Sequence, residues 1–296
     1  MITFPNCKIN IGLDVLERRE DGYHNIETLM LPIAGLTDSL EIVPSASETE
    51  FSSSGLDLNC PSEENLCMKA LRLMQQRYGV GEVKIHLHKM IPSGAGLGGG
   101  SSDAVFTIKA LDSLFGLELT AEQMYAVAAE LGSDTVFFIG NHAALCSGRG
   151  EITEHFDIGQ LCGKHITIVK PPFDIPTIEA YAGIVPQNPE RPLCEHLKQH
   201  ISTWRGNVKN DFEPLIFAKY SVLAAIKEAL YDAGAIYASM SGSGSAIFSI
   251  SEERLAERLK NRFADTRIAI LFDDSWGIIR NENDITLRPA ASLYQI

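Results

Sequence analysis

The sequence predicts a mixed α/β chain folded as two lobes, and three observations carry that expectation. Its 296 residues exceed what a single hydrophobic core comfortably serves. Runs with strand alternation and runs with helical spacing intermix without a strict strand-helix-strand beat. A short, polar, glycine-containing segment at 157–163 then precedes a new β run, HITIVK. This puts a boundary near Gly159, with one domain over residues 1–159 and a second over 160–296.

Strand signals come first along the chain. Thr3–Leu16 is apolar and β-rich and runs into Glu20-Asp21-Gly22, whose Asp-Gly pair marks a tight turn, after which ETLMLPI and DSLEIVP continue the sheet. Between Asn65 and Tyr78, the residues Leu66, Ala70, Leu73 and Met74 fall near helical spacing, whereas VKIHLHK from Val83 alternates like a half-buried strand. That strand leads into MIPSGAGLGGGSSDAVFTIKALDSLFG: a proline, a dense glycine run, two serines, then helix-compatible sequence closing at Gly116. Thr120-Ala-Glu-Gln123 has the form of a capping box; its helix stops near Gly132 and delivers Ser133-Asp134 to the loop beyond. HAALCSGRGEITEHF reads as a hairpin. The second half offers KPPFDIPTIEAYAGI, NDFEPLI, a helix around Ser221–Ala233, MSGSGSAIFSI, and a helix from about Glu252 to Phe263.

Composition narrows the function classes. Hydrophobic residues at 45% and charged residues at 21% supply enough apolar surface to fold without disulfides, metals or a partner. A formal net charge of −13 repels nucleic-acid backbones and anionic lipid, so neither nucleic acid nor a membrane is an expected partner. Cys7, Cys60, Cys67, Cys146, Cys162 and Cys194 are scattered without a CxxC or zinc-type spacing and read as reduced thiols. No signal-peptide-like or membrane-length apolar run is present in the sequence, which makes the cytoplasm the expected location.

The chemistry concentrates at Gly94–Ser102, where five glycines fall within seven residues and Ser101-Ser102 open a predicted helix. Glycine lets the backbone take positive φ and approach a ligand, so successive N–H groups can point at phosphate oxygens while the helix N-terminus adds its dipole. A plain flexible turn is the ordinary reading of a glycine pair; this density favours a phosphate cradle. Two familiar cradles do not match. A G-x-G-x-x-G fingerprint forced onto Gly94, Gly96 and Gly99 lacks its first-strand context and its following acidic residue, and a Walker A loop needs a lysine that Gly99-Gly100-Ser101 does not offer.

PSGAGLGGGSSDA instead resembles the P-x-x-x-G-L-G loop of the family that joins galactokinase, homoserine kinase, mevalonate kinase and phosphomevalonate kinase (GHMP kinases). MSGSGSAIFSI at Met240–Ile250 sits where that family carries a second glycine motif. Within the family, PNCKINIGLDVLERREDGYHNIET, GLGGGSSDA and KPPFDIPTIEAY resemble the branch whose substrate is a cytidine diphosphate-linked methylerythritol. With ENL at Glu64–Leu66 and GSDTVFF at Gly132–Phe138, the resemblance spans essentially the whole chain.

The resemblance implies an α+β, two-domain GHMP-kinase fold: an N-terminal ATP-binding domain like the second domain of ribosomal protein S5, and a ferredoxin-like C-terminal domain that helps bind a small-molecule substrate. It implies ATP along Pro92, Ser93, Gly94, Ala95, Gly96, Leu97, Gly98, Gly99, Gly100, Ser101 and Ser102, with Asn65 and Lys89 at the adenine. Asp134 in GSD would take the proton of the acceptor hydroxyl, and Lys8 in CKIN would keep Asp134 ionised and steady the γ-phosphate. Asn10 lies two residues from Lys8, hence on the same face of a strand, within reach of the same substrate. Tyr23 and Tyr181 would sandwich a cytosine ring, His24 would read its edge, and Thr177 would stand near the substrate phosphates. Mg²⁺ is implied with ATP but without a named protein ligand: mevalonate and homoserine kinases place Ser-Ser directly after G-L-G, and here Gly99-Gly100 hold those places.

Taken singly, Asp134 reads as a helix-boundary turn residue, Lys8 as an exposed strand lysine, Lys89 as solvated and Asn65 as a helix N-cap. Each tyrosine reads as core packing and His24 as a surface residue; only their combination makes a site. Another kinase of the same family, or a nucleotide-binding regulator without catalysis, stays open as an alternative.

Overall fold

The computed structural model describes residues 1–58, 60–264 and 266–276; the end of the second expected domain, 277–296, lies outside the described residues. In chain order the first half runs β1 (Ile2–Thr3), β2 (Asn6–Arg18), β3 (His24–Thr37), β4 (Ser39–Pro44), β5 (Glu50–Gly55), α1 (Leu66–Tyr78), β6 (Val83–Lys89), α2 (Gly99–Phe115), α3 (Ala121–Leu131), α4 (Phe137–Gly140), β7 (Ala144–Ser147) and β8 (Ile152–His155). Beyond it come β9 (His165–Lys170), α5 (Thr177–Tyr181), α6 (Leu193–Leu197), α7 (Glu213–Lys219), α8 (Ser221–Asp232), β10 (Tyr237–Met240), β11 (Ile247–Ser251), α9 (Ala256–Phe263) and β12 (Ala269–Ser275). This is an α+β fold whose described strands form three four-stranded sheets, ordered β1-β4-β6-β5, β2-β3-β7-β8 and β10-β11-β9-β12.

Local signals shape the helices. Asn65 caps α1 by accepting from Cys67 N, and Thr120 with Gln123 forms the complete capping box of α3. Left-handed Gly98 and Gly116 bracket α2. The helix expected from about Glu252 starts four residues later, at Ala256. Asp273 of β12 reaches across to accept from Leu255 N and Ala256 N, so the carboxylate that caps α9 arrives from a distant strand.

ETLMLPI and DSLEIVP do not continue one sheet as expected: β3 pairs with β2 and β7, whereas β4 pairs with β1 and β6. The corner between them is Asp38, fully buried, whose N–H donates to Pro5 O and whose carboxylate accepts from Met90 N and Ile91 N. Those bonds replace the strand pairing that a straight continuation would have used.

Strand alternation decides what each face of β2 does. Cys7, Ile9 and Ile11 point into a core shared with Leu29, Leu31 and Ile33 of β3 and with Ile166, Ile168, Phe248 and Ile250 of the third sheet. The chain on either side of Gly159 therefore shares one interior. Lys8 and Asn10, on the opposite face, are carried to the cleft. Behind the third sheet, Val169, Ala238, Met240 and Ile247 pack on α8 and α9. Leu40, Ile42, Val83, Ile85 and Leu87 of the first sheet pack on α1, α2 and α3. No helix among the described residues is long and apolar enough to cross a membrane.

Candidate active site

Lys8, Asn10, Tyr23, His24, Gly94, Gly96, Gly98, Ser101, Asp134, Thr177 and Tyr181 line one cavity of about 670 Å³. The glycine loop enters it through its backbone. Gly94, Gly96 and Gly98 take φ of +61°, +75° and +70°, while Ala95 and Leu97 between them sink their side chains into the core. Left-handed residues at every second position turn peptide groups the same way, the arrangement that makes an anion-binding concavity.

Two further contacts set the loop. Lys8 N donates to Leu97 O at 2.9 Å, which registers the loop on β2, and Ala246 N donates to Ala95 O at 3.1 Å from the second glycine motif. Ser241 Oγ adds a 2.7 Å bond to Gly96 O. The two glycine-rich segments, far apart in sequence, thus clasp each other at the floor of the cleft.

Lys8 is the electrostatic centre. Its ammonium donates to Asn10 Oδ1 at 2.5 Å and Gly96 O at 3.1 Å, and stands 3.1 Å from Asp134 Oδ2. The lysine side chain is 3% exposed and that of Asp134 37%, so the cation is fixed while the carboxylate reaches the cavity. Asp134 is held by its neighbour: the buried Thr135 hydroxyl bonds the carbonyls of Ala128 and Gly132 and locks the turn that ends α3. Asn10 Nδ2 donates to Thr28 Oγ1 and Asn10 N to Ser241 Oγ, which fixes the amide that orients Lys8.

The aromatic end differs from the expected sandwich. His24 stacks on Tyr181 with ring centroids 4.8 Å apart and 21° between planes, so the histidine covers the face meant for a flat base. Phe212 closes the ring edge-on at 4.8 Å. Tyr23 is 56% exposed and carries the Arg149 guanidinium over its ring at 4.9 Å. Burial first, then the charge of Asp134, pushes the Tyr181 phenol up to about 12. Burial first, then Arg18, holds the His24 imidazole below its usual range.

Several expected residues lie off the cavity. Lys89, expected beside adenine, is turned inward, 2% exposed and paired with Asp38 and Asp103, which places its ammonium under the loop and off this cavity. Asn65 caps α1, Gly99 is buried, and Ser102 Oγ is buried without a hydrogen-bond partner. Pro92, Ser93 and Gly100 do not line the cavity either. Arg149, in none of the sequence motifs, lines it as well, and so does Ser243 from within the second glycine motif. Their signals were present, since each sits between turn glycines in GRG and GSG.

A backbone anion cradle beside a fixed ammonium and a cavity-facing carboxylate is the equipment of a phosphoryl-transfer enzyme, and the relatives agree. The chain belongs to the GHMP kinases: the family described as GHMP kinases N terminal domain matches residues 65–148 and GHMP kinases C terminal matches 194–268. It is an ATP-dependent small-molecule kinase. The 4-diphosphocytidyl-2-C-methyl-D-erythritol kinase of Cytophaga hutchinsonii is 48% identical over 84% of this chain and 92% of its own length. The enzyme of the same name from Parabacteroides distasonis is 42% identical, over 90% of this chain and 97% of its own. A crystal structure of 4-(cytidine 5'-diphospho)-2C-methyl-D-erythritol kinase aligns with a TM-score of 0.76 at 31% identity, covering 94% of this chain and 100% of that one.

Proposed function

We propose that this enzyme transfers the γ-phosphoryl group of ATP to the 2-hydroxyl of 4-diphosphocytidyl-2-C-methyl-D-erythritol, with the names of its relatives supplying the substrate. The observation that carries the mechanism is the Lys8–Asp134 pair, 3.1 Å apart, at the cavity onto which the glycine loop opens. Asp134 accepts the proton of the attacking hydroxyl; that oxygen bonds the γ-phosphorus in line as the bond to the β-phosphate oxygen breaks, and ADP leaves. Lys8, already neighbour to Asp134, faces the charge that develops on the transferring group.

The loop supports ATP through its backbone: Gly94, Gly96 and Gly98 line the cavity at positive φ, and Gly98 lets β2 pack close, since a Cβ there would stand 3.0 Å from Lys8 Cγ and Cε. The donor set does not make a protein cage for Mg²⁺. Among the described residues no three His, Cys, Asp or Glu side chains gather as a metal site. Mg²⁺ bound with ATP would neutralise charge on the leaving diphosphate. In this reading residues 1–159 form the ATP-binding domain and 160–296 help hold the substrate, since Thr177, Tyr181 and Phe212 come from the latter side of the cavity. Free cysteines, three of them buried, and the net charge of −13 support a cytoplasmic enzyme that has no nucleic-acid partner.

ADP release from the purified chain tests the reading. Release should depend on the cytidine diphosphate substrate and stay at background with homoserine, mevalonate or phosphomevalonate; equal release with any of these overturns it. Stacking a base on the Tyr181 ring requires His24 to leave that face, and a neutral imidazole can do so without a charge to desolvate. Tyr181→Ala should therefore raise KM for the cytidine substrate about tenfold, the value of one stacked base, and leave KM for ATP nearly unchanged. Steady-state kinetics with each substrate varied in turn reads this directly.

A further inference from the structure

Beneath the glycine loop, outside the cavity, lies a buried charge cluster that phosphoryl transfer does not use. Lys89 closes β6, and its ammonium bonds Asp38 and, at 2.7 Å, Asp103 Oδ2. Asp38 Oδ1 accepts from Met90 N at 2.6 Å and Ile91 N at 2.8 Å, the residues that lead into the loop. Asp103 stands on α2 just past the loop, and a Cβ on Gly99 would come within 3.0 Å of Lys89 Nζ. One buried ammonium therefore ties the entry and the exit of the loop together.

The charges in this cluster do not balance. Two carboxylates and one ammonium leave a net negative charge below a site that must accept a triphosphate. Asp103 Oδ1 is buried and has no hydrogen-bond partner. That position suits the carbonyl oxygen of a neutral acid far better than an oxygen of a carboxylate. Burial, opposed by Lys89 and reinforced by Asp38, pushes the Asp103 carboxyl up to about 7. Two thiols flank the cluster: Cys67 of α1 is pushed up by burial and then by Asp103, Cys7 of β2 by burial and then by Asp38, and both stay neutral. Lys89 is held charged, its two carboxylates outweighing the burial that pulls it down.

We propose that Asp38, Lys89 and Asp103 brace the ATP loop, and that Asp103 is the proton-carrying member: protonated when nucleotide is bound, ionised with a loss of affinity when it is not. This rests on reading the loop as the ATP cradle. The sign follows from charge. The protonated cluster is neutral, whereas ionisation puts a negative charge under the phosphates; nucleotide affinity therefore falls as pH rises through about 7, and bound nucleotide raises the Asp103 pKa in return.

Calorimetric titration of the full chain with a non-hydrolysable ATP analogue at about pH 6 and about pH 8.5 tests this, with Asp103→Asn as the comparison because it keeps a bond to Lys89 and cannot ionise. The analogue's own ionisation is common to both proteins. Wild type should lose about tenfold more affinity across that range than Asp103→Asn, and titration in two buffers should show more proton uptake in wild type than in the variant. The same pH dependence and proton uptake in both proteins overturns the proposal while leaving the kinase reading intact; no binding to wild type at either pH sinks both. Should the variant fail to fold, infrared spectroscopy of wild type decides. A carboxylic-acid carbonyl band that disappears with rising pH, and persists to higher pH with the analogue bound, supports the brace, and its absence overturns it.

Discussion

Asp134→Asn should lower kcat by about a thousandfold while nucleotide still binds and the protein still folds. The substitution keeps the shape of the side chain and removes its capacity to accept a proton. Lys8 retains Asn10 Oδ1 and Gly96 O, so the ammonium is not left without partners. Thr135, not Asp134, carries the bonds that lock the turn after α3. The carboxylate is 37% exposed, and a pair screened to that degree contributes no more than about 1 kcal/mol to folding. Single-turnover ADP formation, analogue binding and thermal unfolding separate the three effects. Turnover near the wild-type rate would remove Asp134 from the role of base.

What the sequence disclosed about this molecule divides by the range of the interactions. The strand Val83–Lys89, the capping box at Thr120 and the helix from Ser221 follow from alternation, capping chemistry and helical spacing within a few residues, and the structure places them where those signals lie. The glycine loop feeding α2 is equally local. Features set by distant partners were not legible. Asp38 turns the chain from one sheet into another because it binds amides 52 and 53 residues away, and nothing near DSLEIVP announces that. Lys89 reads as solvated in the sequence because its two carboxylates are distant, Asp38 at the corner between β3 and β4 and Asp103 on α2. The stacking of His24 on Tyr181 joins residues from opposite halves of the chain. Only family resemblance pairs Lys8 with Asp134 in the sequence, since no spacing rule connects a strand lysine to a loop aspartate so far away.

The other large effect falls on Gly96, where Gly96→Ala should destabilise the protein by about 3 kcal/mol and reduce kcat/KM for ATP at least a hundredfold. Two costs coincide there. A φ of +75° strains any side chain, and a Cβ would come within 1.9 Å of Ser241 O and 2.9 Å of its carbonyl carbon. Both atoms belong to backbone, so no rotamer relieves the overlap; the loop and the second glycine motif must separate. Separation weakens the Ser241 Oγ and Lys8 Nζ bonds to Gly96 O and shifts the loop amides proposed to hold the phosphates. Gly79→Ala isolates the first cost, since Gly79 has φ of +66° at the end of α1 with nothing within 4 Å of the added carbon. It should lose only about 1 kcal/mol and keep its activity. Unfolding and ATP-dependent kinetics of the pair distinguish strain from collision: were both variants to lose stability equally and retain turnover, the clasp between the two glycine motifs would have no part in holding ATP.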